Sequence, residues 1–309
     1  MRAAFSKTLV DLAKADPSVV LLTGDHGYAL FDEFRRSCPS QYINAGIAEQ
    51  NMVGMSAGLA RTGFRPIIYG LSAFIPIRVL EQIKLDVAHD NLPVIFIGDG
   101  AGLVYSHLGT SHQSTEDIAC ARVIPNLKVF SPADAAEMIF CLRAAYESNS
   151  SVYIRIGKSD LGKVHQDEPN LRTGQLMQLR EGANNDLAFV ATGSLVRCAL
   201  DIAAESCYEA SVWSVPFIKP IDEHQIIDIC KKSKVVITFE EHSIFGGLGS
   251  VVTEIASEHL PVRVLRIGVK DRFSEYCGSY NYLISEHGLD RMGIVKQLDA
   301  FLLNQTRSL

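Results

Sequence analysis

Short runs of β-branched and aliphatic residues alternate along the chain with longer stretches of helical period. VVLLTG (19–24), RPIIYG (65–70), LPVIFIG (92–98) and SVYIRIG (151–157) are short, mostly apolar runs ending at glycine. That pattern predicts parallel strands covered on both faces rather than half-solvated ones. A second series follows: DLAFVATG (186–193), ASVWSVPF (210–217), KVVITFEEH (234–242) and VRVLRIG (262–268). The stretch 158–185 between them is polar and rich in turn formers, which predicts a linker. The expected fold class is therefore α/β, with two domains at 1–157 and 186–309, each a largely parallel sheet flanked by helices. Ligands of such sheets gather beyond the carboxyl ends of the strands. Four segments lie there: Gly24–Gly27, Asn44–Glu49, Gly98–Gln113 and Glu240–Gly249.

Composition narrows the classes without naming one. The 309 residues are 47% hydrophobic and 21% charged, with a formal net charge of -6, as in soluble globular proteins. A mildly acidic chain with no basic run offers no field for nucleic acid. Seven cysteines (38, 120, 141, 198, 207, 230, 277) are scattered without a CxxC pair, which reads as reduced thiols in the cytoplasm rather than disulfides or a zinc site. The N-terminal segment is an amphipathic helix pattern, not a signal peptide, and no stretch of 18 apolar residues predicts a membrane span.

The candidate chemistry has bland readings beside the functional ones. Glu49 opens a helix that continues through Gly54 and Gly58; a carboxylate there is also simply favourable at a helix N-terminus. His112, in GTSHQ, can meet a ligand near neutral pH or be a solvated loop histidine, and His107 precedes it by five residues. Phe74 is either core or a platform for a flat heterocycle. Arg78 suits a phosphate or carboxylate clamp. Gly98-Asp99-Gly100-Ala101-Gly102 lacks the third glycine of a dinucleotide loop; with Asn126 it mimics a metal-diphosphate motif. The glycines of Glu240–Gly249 suit a tight structural turn or an anion site at a helix N-terminus.

Taken in order, five segments resemble the C-terminal half of transketolase, its pyrimidine-binding domain followed by its C-terminal domain. They are NAGIAEQNMVGMSAGLA (44–60), SHLGTSHQSTEDIACARVIPNLKVFSPAD (106–134), TGSLV (192–196), PFIKPID (216–222) and EEHSIFGGLGSVVTEI (240–255). The resemblance implies one β-like subunit of a split, thiamine diphosphate-dependent transketolase. The diphosphate and Mg²⁺ would be held by an N-terminal transketolase-like partner subunit in an α2β2 heterotetramer. It implies no metal ligand in this chain and makes the Asp99–Asn126 pattern coincidental. The implied reaction moves a two-carbon ketol unit between sugars or sugar phosphates.

The same resemblance assigns roles. Glu49 would hydrogen-bond N1′ of the aminopyrimidine and favour the tautomer that takes the proton from thiazolium C2. A helix N-terminus favours its charged form and burial its neutral form, so its competence should depend on assembly. Phe74 would stack on the pyrimidine, with Ile47 and Arg78 also at the cofactor. His112 would stand beside the reacting carbons. Arg2, His26, His107, Arg155 and Lys158 are expected at the sugar. Two positions depart from the usual pattern. Gly100 stands where a histidine normally helps hold a substrate phosphate, and Leu108 where an acidic residue touches a donor hydroxyl, which implies a specialised sugar. Two rivals remain: a decarboxylating subunit of the 1-deoxyxylulose-5-phosphate synthase or 2-oxo-acid dehydrogenase kind, which would release carbon dioxide, and a non-catalytic interface subunit, which would need none of Glu49, Phe74 and His112.

Overall fold

A computed structural model describes residues 1–183, 186–205 and 208–303; Cys207 lies outside them. Among the described residues there are twelve strands: β1 (Val19–Thr23), β2 (Tyr42–Asn44), β3 (Arg65–Leu71), β4 (Ile95–Asp99), β5 (Lys128–Phe130), β6 (Val152–Ile156), β7 (Met177–Arg180), β8 (Leu187–Ala191), β9 (Ser211–Ser214), β10 (Phe217–Lys219), β11 (Val235–Ser243) and β12 (Arg263–Val269). They form two sheets, ordered β10-β5-β6-β4-β3-β1-β2 and β12-β11-β8-β9-β7. All neighbours pair in parallel except β10 with β5 and β7 with β9.

The fully buried strands lie within the mostly apolar runs of the sequence. Every residue of β1, β4, β6 and β8 is buried, because helices cover both faces of a parallel sheet. One face of the first sheet packs Met52, Val53 and Ala57 of the helix Glu49–Arg61. The other packs Phe5 and Leu9 of the helix Arg2–Ala15, with Phe31 and Tyr69. Burying each of these large side chains contributes roughly 1.5–3 kcal/mol.

Two features differ from the sequence pattern. The run ASVWSVPF does not continue as one strand. Ser211–Ser214 stays in the second sheet, while Phe217–Lys219 crosses to pair with β5 of the first. Phe217 meets Phe130 edge to face with ring centres 4.7 Å apart, a larger apolar gain than the short second-sheet continuation offers. The span 158–185 also contains β7, an edge strand whose residues are exposed or half-buried; its polarity hid it.

The two halves meet through a buried polar seam. Arg155, at the end of β6, donates from Nε to Asp117 at 2.8 Å and from Nη2 to the Glu241 carbonyl at 2.9 Å. The Glu241 carboxylate accepts from the Leu103 N–H at 2.7 Å, from Tyr280 Oη at 2.7 Å and from Ser194 Oγ. Gly102, at φ +71°, lets this carboxylate in: a Cβ there would come 2.4 Å from Glu241 Oε1. Among the described residues no helix is long and apolar enough to cross a membrane, and the cysteines at 38, 120, 141, 198, 230 and 277 are free.

Candidate active site

The chain reaches Glu49 through a tight turn. Asn44 ends β2 and its Oδ1 accepts from the Gly46 N–H at 2.9 Å. Gly46 sits at φ +71°, which a glycine adopts without steric cost. Ile47 is left 77% exposed. Glu49 is then the first residue of its helix, with a side chain only 14% exposed.

Beyond β3 the chain turns so that Phe74 stands near the same carboxylate. The Arg78 guanidinium lies over the Phe74 ring, its carbon 3.8 Å from the centroid, while Nη1 donates to Glu49 Oε2 at 3.0 Å. The Phe74 ring meets His112 edge on at 5.5 Å. Ser111 Oγ lies 2.9 Å from His112 Nδ1. Glu49, Phe74, Arg78 and His112 are thus one continuous group at the carboxyl edge of the first sheet. Phe74 is half-buried, not core.

A second group stands at the same edge. Asp99 ends β4 with its carboxylate buried. Arg2 Nε donates to Oδ1 at 2.7 Å, Tyr105 Oη donates to Oδ2 at 2.9 Å, and His26 Nε2 lies 3.1 Å from Oδ2. Burial alone would raise this carboxyl, but His26 and Arg2 outweigh burial and hold it below the usual carboxylate range. Arg2 and His26, both expected at a sugar, are thereby brought together. Tyr105 and Asp99 join them without having been expected on the sugar side; the glycine at 100 is their signal in the sequence.

The remaining expectations separate. His107 is exposed on the turn Ser106–Leu108. Lys158 pairs with Asp160 at 2.9 Å and lies 5.3 Å from the Tyr280 ring centre. Arg155 is 2% exposed and committed to Asp117 and Glu241 in the seam, so this structure puts it in the interior rather than at an open sugar site. Asn126 spends its side chain on the Ala88 carbonyl at 3.0 Å, and Asp99 is taken up by Arg2, His26 and Tyr105, so the two do not form a metal-diphosphate motif. Among the described residues no three His, Cys, Asp or Glu side chains are grouped to hold a metal.

The anion at the Glu240–Gly249 turn is internal. The Glu240 carboxylate accepts from the Leu248 and Gly249 N–H groups, both at 2.8 Å, at the start of the helix Leu248–His259. Burial nonetheless pushes this carboxyl up to about 7, against those two bonds. Burial likewise pushes the neighbouring His242 imidazole down to about 4.

Residues 1–163 match the pyrimidine-binding domain of transketolase, and residues 174–294 match the transketolase C-terminal domain. The chain belongs to the transketolase family. It is 34% identical over 300 residues to one of the subunits of the apulose-4-phosphate transketolase of Phocaeicola vulgatus, covering 96% of this chain and 95% of that protein. A solved structure described as a split gene transketolase, inactive beta4 tetramer, superposes with a TM-score of 0.89 at 34% identity, covering 97% of both chains. The match to a 1-deoxy-D-xylulose-5-phosphate synthase from Desulforudis audaxviator is of similar identity, 35%, but reaches only 47% of that longer protein. Transketolase chemistry uses thiamine diphosphate, and the Phe74–Glu49 group fits its aminopyrimidine. A flat cationic group, the Arg78 guanidinium, already lies on the ring and bonds the carboxylate.

Proposed function

We propose that this chain is the C-terminal-type subunit of a split thiamine diphosphate-dependent transketolase, transferring a two-carbon ketol unit between sugars or sugar phosphates. The observation that carries the reading is the convergence of Glu49, Phe74 and His112 in a chain that matches a single subunit of a transketolase nearly end to end. A subunit that only completed an interface would need none of the three.

The cofactor supplies a thiazolium carbon able to act as a nucleophile toward the donor carbonyl. This chain's residues prepare the site for it. Phe74 offers a ring face to the pyrimidine. Glu49 holds the proton at its N1′. Ile47, on the turn before Glu49, is an exposed apolar side chain that the partner would cover. His112, edge-on to Phe74, stands where it can donate to a developing alkoxide. Diphosphate and Mg²⁺ would be held by an N-terminal transketolase-like partner subunit, a reading supported by the near end-to-end match of this chain to a single transketolase subunit. Gly54 and Gly58 keep one face of the Glu49 helix open, a Cβ at either meeting nothing within 4 Å. A second subunit can therefore approach that backbone closely, in keeping with an α2β2 assembly. The free cysteines among the described residues suit the cytoplasm.

The test is reconstitution with the partner subunit, thiamine diphosphate and Mg²⁺. Ketol transfer is expected, and Glu49→Gln should lower it by about 10²–10⁴-fold while the assembly still forms. Transfer that survives Glu49→Gln, or carbon dioxide release from pyruvate in its place, overturns the reading.

A further inference from the structure

The Asp99 group is built around an exclusion. Gly100 sits at φ +73°, and a Cβ added to it would lie 1.9 Å from Tyr105 Cε2. A side chain at position 100 and the present pose of Tyr105 therefore cannot coexist. What the glycine admits is a phenol whose oxygen lies 2.9 Å from Asp99, 3.0 Å from Arg2 and 3.3 Å from His26. The group borders the candidate active site. The Ser72 N–H, two residues before Phe74, donates to the Asp99 carbonyl at 2.8 Å, and β3, which leads to Phe74, lies between β1 and β4. His26 stacks on Tyr69 of that strand at 5.5 Å.

Its charge is already balanced. Arg2, the cation expected to meet a sugar, faces a carboxylate at 2.7 Å, and the Tyr105 phenol stays neutral because burial and then Asp99 raise it. Arg2 and His26 nevertheless keep partly exposed side chains, 41% and 30%. A phosphate dianion brought to this edge would meet Asp99 behind every cation available to it. A hydroxyl meets no such opposition, and can both donate and accept among an arginine N–H, an imidazole nitrogen and a phenol.

We propose that Tyr105, His26 and the Arg2–Asp99 pair form a specificity wall that receives a hydroxyl-bearing, unphosphorylated end of the sugar and disfavours a terminal phosphate. This rests on the transketolase reading of the site and names the substrate class within it. Tyr105 touches the sugar, and Asp99 acts through Arg2 as a positioning residue.

The test uses the complex reconstituted with the partner subunit and cofactor. Calorimetry compares the unreactive probes arabinitol and arabinitol 5-phosphate, and kinetics compares glyceraldehyde with glyceraldehyde 3-phosphate. The phosphate esters should bind no tighter and react no faster than the free polyol and aldose. Tyr105→Phe should raise the KM for glyceraldehyde about tenfold with kcat little changed. Asp99→Asn, which frees the Arg2 charge, should shift the binding ratio about tenfold toward the phosphate ester. Tenfold tighter binding of the ester to the unaltered complex, or a ratio that neither variant moves, overturns the proposal. Absence of ketol transfer to either aldehyde would instead defeat the transketolase reading, and the polyol titration reports on the wall independently of it.

Discussion

The Arg78 guanidinium lies 3.8 Å above the centre of the Phe74 ring while its Nη1 holds Glu49. The ring face and the carboxylate that an aminopyrimidine would use are both engaged by one side chain. Arg78 is expected at the cofactor from the sequence, and on the proposed reading its guanidinium would have to swing off the Phe74 ring for a heterocycle to stack there.

Removing it should therefore tighten binding of the cofactor. The exposed cation–π contact is worth about 0.5–1 kcal/mol and an exposed ion pair about 0–1 kcal/mol. Arg78→Ala is expected to lower the dissociation constant of thiamine diphosphate in the reconstituted complex by about 2- to 30-fold. Calorimetric titration checks it, and weaker binding would mean that Arg78 helps to hold the cofactor.

Arg155 is expected to matter for stability rather than for sugar affinity. Arg155→Met leaves Asp117 buried without its cation, a change that costs about 3–5 kcal/mol in comparable buried pairs. Thermal unfolding should shift strongly downward, while the sugar KM of the folded fraction stays near that of the unaltered enzyme. A raised KM at unchanged stability would restore Arg155 to the substrate.

The Glu240–His242 pair sets a pH dependence with two signs. Glu240 is raised from 4.5 to about 7, so its contribution to stability is full below pH 4.5 and lost as the pH climbs to about 7. His242 is depressed from 6.5 to about 4, so its contribution is full above pH 6.5 and lost as the pH falls toward 4. Between them the two partly cancel. Glu240→Gln should leave the His242 contribution unopposed, so that the unfolding temperature of the variant rises between pH 4.5 and 6.5, where that of the unaltered protein stays nearly level. A variant profile as level as the unaltered one would exclude Glu240 as the opposing group.

Gly247→Ala should destabilise for a steric reason alone. Gly247 has a negative φ, yet a Cβ there would lie 1.9 Å from Glu240 Oε2 and 2.7 Å from His242 Nδ1. Both neighbours are buried and fixed, so overpacking of about 1–3 kcal/mol is expected. Denaturant unfolding measures it, and an unchanged midpoint would show that the turn relaxes freely.

The legible parts of the fold are those where one local rule suffices. Apolar runs such as VVLLTG are long enough to announce a doubly covered strand. Lys128–Phe130 and Tyr42–Asn44 are three residues each, too short to carry a period that marks them as strands. Met177–Arg180 forms because an edge is open beside β9, which no local pattern encodes. Glu49, Phe74 and His112 stand out in the sequence because motifs carry them, and the structure brings the three together. Arg155 misleads because its position suits a sugar contact, while Asp117 and Glu241, far away in sequence, claim its guanidinium. Tyr105 escapes notice because its bonds to Asp99 and Arg2 depend on the empty volume at Gly100.

The strand β10 has a bearing on how this protein could be divided. Phe217–Lys219 seals the outer border of a sheet otherwise woven entirely from residues before 157. A fragment cut at the apparent boundary would leave the amides of Lys128–Phe130 and the Phe130 ring without their cover, an adhesive rim for other copies. The two halves are sewn rather than tethered, and expressing the first without the second invites aggregation instead of a working module.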